Sequence, residues 1–248
     1  MLTLNPGLVL IAAALFVLGA PKSMRAPAMA GAALLALWLM LGREFGAASA
    51  MAQMGLPVVL LNLDALNRIF GIAMLIAMVL LALYSGGRRS RFEDSAILLL
   101  GGGAVSALFV GDLVSFVAAA ELAALGAAAV VSASSSGGAS AAGVRLLIWF
   151  GLEGLLFLVG VAFHLAASAY SSAFIRLDAR NYIGDAFIFL ALMIRVGAPL
   201  AHVWFKDAVR HASPTGAAAL TAFSTSLGVY ALARLFPAEL FLIPVGVA

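Results

Sequence analysis

The chain has 248 residues, 65% of them hydrophobic and only 10% charged, with a net charge of +3. A soluble domain carries about 25% charged residues, so this composition needs lipid around it, and the mean hydropathy of +1.14 agrees. The absence of cysteine excludes disulfides, thiolate metal sites and iron–sulfur clusters, and so small and dispersed a charge gives no footing for nucleic acid.

The N-terminal stretch MLTLNPGLVLIAAALFVLGAPKSMR carries Lys22 and Arg25 after its apolar run, so it reads as a retained first span and not a cleaved leader. A transmembrane helix needs roughly 17–25 mostly apolar residues. Eight stretches qualify, at about 4–20, 27–42, 56–84, 94–111, 113–132, 143–169, 182–205 and 214–236. Turn chemistry separates them: Ala-Pro-Lys-Ser at 20–23, Gly-Gly-Arg-Arg-Ser at 86–90 and Ser-Ala-Ser-Ser-Ser-Gly-Gly at 132–138. The expected fold class is therefore all-α, a polytopic membrane protein of about eight transmembrane helices.

Orientation follows from lysine and arginine. The loops after the odd-numbered spans hold eight (Lys22, Arg25, Arg88, Arg89, Arg91, Arg145, Lys206, Arg210), and the opposite side holds five (Arg43, Arg68, Arg176, Arg180, Arg234). The positive-inside bias puts the first set in the cytoplasm and both termini outside, as in a bacterial inner-membrane protein.

Three charges remain at depth. At 1.5 Å per residue Glu121 lies roughly 13 Å from the outer end of the fifth span. Glu153 lies roughly 15 Å from the inner end of the sixth, and Arg195 roughly 20 Å into the seventh. Such groups cost about 2.5–3.5 kcal/mol each at the bilayer centre and persist where they face protein or water. One arginine neutralises one carboxylate; the other is protonated or finds a further partner, which suits it to carrying a proton. The plainer alternative is a buried ion pair that pins helix packing.

Gly197 and Pro199 follow Arg195 within one turn, so the seventh helix should break there, as helices at membrane depth do where they line a cavity or pack on protein. His202, just beyond, is a candidate for titration near neutral pH; His164 and His211 read as ordinary surface residues. The three histidines have no metal-ligand spacing, and no phosphate-cradling or cofactor-binding motif is present, so neither metal nor cofactor is expected. Gly101–Gly103, inside the fourth span, reads as a close helix contact.

Four segments carry a resemblance. NLDALNRIF (62–70), VGDLVSFVAAAEL (110–122), RVGAPLAHVW (195–204) and ASPTGAAALTAFSTSLGVYALARLF (212–236) resemble helices three, five, seven and eight of the antiporter-like, proton-translocating subunits shared by respiratory complex I, multisubunit cation/proton antiporters and membrane-bound hydrogenases. The D-type antiporter subunits are the nearest likeness. The resemblance implies that Glu121 falls on the family's key glutamate, Arg195 on the lysine it pairs with, and His202 on a family histidine, with Asp64 matching on helix three. Glu121, Arg195, Glu153 and His202 would then form a proton half-channel.

Departures accompany the match. Arginine replaces a lysine at 195 and cannot release a proton as lysine can. Ser226 stands where the family has the relay lysine of helix eight. The family fold also has two inverted five-helix repeats, and this chain has the first only. The resemblance implies N-terminal helices over 1–92, the repeat (helices 4–8) over 93–237 and a tail over 238–248. Its expected partners are other integral membrane subunits, among them a chain carrying the second repeat, with protons, or Na+ or K+, as the transported ion. The alternative is a degenerate, non-conducting subunit that scaffolds a larger complex.

Overall fold

The computed structural model describes residues 4–53, 56–85, 90–168, 171–199 and 201–237. In chain order these form α1 (Pro6–Gly19), α2 (Lys22–Leu41), the hairpin β1 (Gly46–Gln53) and β2 (Leu56–Leu63), α3 (Ala65–Ser85), α4 (Arg91–Phe109), α5 (Leu113–Ser132), α6 (Ala139–Ala167), α7 (Ile183–Val196), α8 (Val203–His211), α9 (Pro214–Ala219), a π-helical turn (Leu220–Thr225) and α10 (Ser226–Leu235). The expected tail, 238–248, lies outside the described residues.

Among the described residues six helical stretches are long and apolar enough to cross a membrane: α2, α3, α4, α5, α6 and the composite helix from Pro214 to Leu235. The chain is thus a polytopic helical membrane protein. Of the eight expected spans, α1 with 14 residues and α7 with 14 residues fall short on their own. The expected third span, 56–84, was drawn too long. Residues 56–63 pair antiparallel with β1, and α3 begins only after Asp64. There Asp64 and Asn67 cap each other reciprocally: Asn67 N–H donates to Asp64 Oδ1 at 2.9 Å, and Asp64 N–H to Asn67 Oδ1 at 2.8 Å.

α4 is the central element, buried along nearly all of its length. Its three consecutive glycines face three different helices: a Cβ would meet Met78 of α3 at Gly101, Ile11 of α1 at Gly102 and the Ala123 backbone of α5 at Gly103. Lacking side chains, they let all three neighbours approach closely, which drives helix association where lipid is as apolar as leucine. Outward-facing Leu15, Phe16, Trp38, Leu83, Ile148 and Leu155 are more than half exposed and form the lipid-facing surface.

Polar contacts gather the loops at two ends of the molecule. At one end Arg25 pairs with Asp94 at 3.3 Å, Glu93 accepts from Ser213 and Thr215, and Arg145 grips Asp207 at 2.7 and 2.9 Å. That grip holds the Asp207 carboxyl below the usual carboxylate range. At the other end Arg234 of α10 pairs with Asp64, Asp112 caps α5 and accepts from Val59 N–H at 2.7 Å, and Leu177 N–H donates to Leu235.

The seventh helix breaks as expected, at Gly197. Its φ of +74° is left-handed, and Ala198 N–H closes on Met193 C=O at 3.0 Å, a helix stop that glycine makes without a Cβ penalty. A Cβ there would have only ordinary contacts, beyond 3.6 Å, so Gly197→Ala tests backbone conformation alone. It should cost about 1–2 kcal/mol, read as a lowered thermal midpoint of the purified chain.

Candidate functional site

Arg195 and Glu153 meet at the centre of the helical unit. Arg195 comes from the last turn of α7, where the helix stops, and Glu153 from mid-α6. They are 0% and 1% exposed, so the pair is dry. Arg195 Nε donates to Glu153 Oε1 at 3.1 Å, and Nη2 donates to Oε2. A two-pronged bond of this kind matches the fork of the guanidinium to the carboxylate. The guanidinium carbon also lies 4.9 Å from the centre of the Phe150 ring. Phe150 packs edge-on against Trp204, whose indole N–H donates to Ile194 C=O at 2.6 Å. The Ile194 carbonyl at the helix end thus accepts from both the indole and Gly197 N–H.

Glu121, on α5, is half-buried beside this pair and within electrostatic reach of both members. Its carboxyl occupies the space that Gly154 leaves: a Cβ at 154 would collide with Oε1 and lie 2.7 Å from Cδ. The two glutamates therefore come together through adjacent residues of α6, because Glu153 turns inward and Gly154 opens a seat for Glu121.

This corrects one expectation. The resemblance pairs Arg195 with Glu121, whereas the salt bridge is to Glu153. The reason is azimuth: α6 and α7 pack closely, and Glu153 faces α7 directly, while Glu121 reaches the cluster from the α5 side across Gly154. Arg195 Nη1 has no hydrogen-bond partner among the described residues.

His202 stands apart. It heads α8, partly buried, and its ring makes no hydrogen bond among the described residues. His164 was misread as a surface group; its Nδ1 lies 2.6 Å from the buried Asp185. Both residues sit near span ends where sequence alone suggests solvent. His211 Nδ1 bonds the Asp207 carbonyl at 2.8 Å.

The composite helix from Pro214 to Leu235, the eighth expected span, carries the π-turn between α9 and α10. Thr221 and Thr225 bond back to the carbonyls of Ala217 and Thr221 at 3.0 and 2.8 Å, and Ser226 bonds the Thr221 carbonyl at 3.3 Å. Such turns occur frequently at functional sites. Ser226 brings only a hydroxyl to its place on α10. Gly228, half a turn on, packs against the Arg195 side chain, with a Cβ position 3.2 Å from Cγ. No group of three or more potential metal ligands occurs among the described residues.

No family model and no curated protein sequence matches the chain. Solved structures do. A chain of respiratory complex I from Thermus thermophilus with bound NADH superposes with a TM-score of 0.77 and 22% identity, over 97% of this chain and 52% of that one. A chain of the membrane-bound sulfane sulfur reductase, an archaeal respiratory membrane complex, gives 0.74 and 20% over 93% and 53%. A chain of the Mrp complex from Dietzia sp. DQ12-45-1b gives 0.68 and 18% over 97% and 47%. The chain thus has the fold of membrane chains in these complexes, in keeping with the antiporter-like resemblance, and spans about half of their length.

Proposed function

We propose that this chain is a membrane subunit of a multisubunit proton- or cation-translocating complex, and that Glu121 with the Glu153–Arg195 pair forms its ion-transfer site. The observation that carries this reading is the seat of Glu121. A half-buried carboxyl lies against a dry carboxylate–guanidinium pair, so two carboxyls share one arginine's charge. Moving a proton on or off Glu121 changes the field on Arg195, whose Nη1 has no hydrogen-bond partner among the described residues. Arginine stays charged throughout; it sets the field, and Glu121 holds the proton.

The fold spans about half of the chains it resembles, so the reading includes a second membrane chain that completes the path. Protons are the ion the carboxyls suit directly, with Na+ or K+ exchanged elsewhere in the complex. The setting proposed is a bacterial inner membrane, both termini outside. A second reading rests on two observations: the two-pronged bond holding Arg195, and the neutral Ser226. Both favour a scaffold that no longer conducts.

Co-purification of the tagged chain in mild detergent, with mass spectrometry of its companions, tests the placement. A companion of about six further spans with an intramembrane lysine or glutamate is the expected result. Companions that already include complete antiporter-like subunits favour the scaffold, and a chain recovered alone contradicts both readings.

A further inference from the structure

Glu121 is seated against α6 but not covered. It lies near the middle of α5, and its neighbours one turn away, Ala118 and Leu125, are both exposed. Residues three and four apart share a helix face, and the glutamate between these two is itself partly exposed. On the α6 side Gly151 is exposed as well, and a Cβ there would meet nothing within 4 Å. A carboxyl at this depth is therefore open to whatever lies beside the bundle. Lipid tails offer it no hydrogen bond, and ionisable groups in mid-membrane persist where protein or water faces them.

A second feature lies on the same helix. Between α1 and α5 the surface is cut by an apolar groove of about 460 Å³, bordered by Leu8 and Ile11 of α1, Leu60 of β2, Val110, and Ala118 and Leu122 of α5. Ala118 thus edges the groove and stands one turn from Glu121. At Trp38, Leu83 and Ile148 the outer surface is instead bulky and apolar, which suits lipid. The α5 face joins a recess to an uncovered charge. Because Glu121 and Glu153 both act on the single guanidinium of Arg195, the ionised cluster carries negative charge in excess.

We propose that this face of α5, from the α1–α5 groove to Glu121, docks a transmembrane helix of another chain, which fills the groove with bulky apolar side chains and presents a lysine or arginine to Glu121. The inference rests on the reading above of the chain as one subunit among several. Three observations specify the occupant. The excess negative charge selects a cation, by the charge complementarity that fixes partner and register. The lining of the groove selects apolar bulk, as the buried centre of an interface does. The fold accounts for about half of the chains it resembles, so a second set of helices has a place beside this one. A cation arriving from outside the bundle leaves the two-pronged Glu153–Arg195 bond as it stands.

Photo-crosslinking in the intact complex, in its own membrane, tests this without reference to ion transport. Benzoylphenylalanine is placed singly at Leu122 and Leu125 on the α5 face, and at Trp38 and Leu83 on the faces assigned to lipid. The first two positions should capture a membrane-spanning segment of another chain about tenfold more than the second two, and mass spectrometry should find a lysine or arginine near the middle of that segment. Glu121→Lys, which sets like charges against each other, should cut recovery of the same companion about tenfold or more. Glu121→Gln, which still accepts a hydrogen bond, should keep it. Capture of lipid alone at Leu122 and Leu125, a captured segment without a basic residue, or undiminished recovery with Glu121→Lys overturns the docking face; the crosslinks decide even if Glu121→Lys does not fold. Capture of another chain at Trp38 and Leu83 instead overturns it and leaves the subunit reading standing, whereas no protein captured at any of the four positions contradicts both.

Discussion

Replacing Glu153 by leucine should cost the chain about 3–5 kcal/mol of stability, and adding Arg195→Met should restore most of it. The physical reason lies in what each variant leaves behind. Glu153→Leu strands a guanidinium that is 0% exposed, where neither water nor headgroups can reach it. The double variant removes both charges and puts apolar volume in their place. A buried pair owes its strength chiefly to the penalty of breaking it, so the two substitutions should be strongly non-additive. Thermal midpoints of the four proteins in one detergent give the coupling directly. A single variant as stable as the unaltered chain would show that Arg195 does not depend on Glu153.

Much of this architecture was legible in the sequence because hydropathy reports depth. The fifth span, 113–132, coincides with α5, and Gly197 with Pro199 announced the break in the seventh helix, which the backbone makes at the left-handed Gly197. Depth also placed Glu121, Glu153 and Arg195 near one another. What hydropathy does not report is which way a helix faces. Rotation about the helix axis decides that Glu153 and not Glu121 receives Arg195, and the only local sign was Gly154, the small residue that makes room for Glu121.

The hairpin was hidden for a different reason. LPVVLLNL runs into α3 with no break in apolarity, and the boundary is drawn only by the Asp64–Asn67 cap. The pairing of His164 with Asp185 was equally silent, since both lie near span ends where exposure is the ordinary expectation. Arg234 and Asp64, 170 residues apart, show how far such pairings reach in sequence.

Glu121 carries the central claim, and its substitution has the second large effect. Glu121→Gln keeps the shape of the side chain and its seat on Gly154 but can neither lose a proton nor carry a negative charge. It leaves the Glu153–Arg195 pair intact, so the chain should fold and assemble. Ion coupling is another matter: with the one carboxyl outside the pair gone, the cluster has a single fixed ionisation state. The measurement is proton movement into vesicles containing the intact complex, compared at equal assembly for the unaltered chain and Glu121→Gln. Loss of coupling by a hundredfold or more, in line with removing a positioned proton carrier, is the expected result. Unchanged proton movement in a fully assembled complex would contradict it and leave the chain a scaffold.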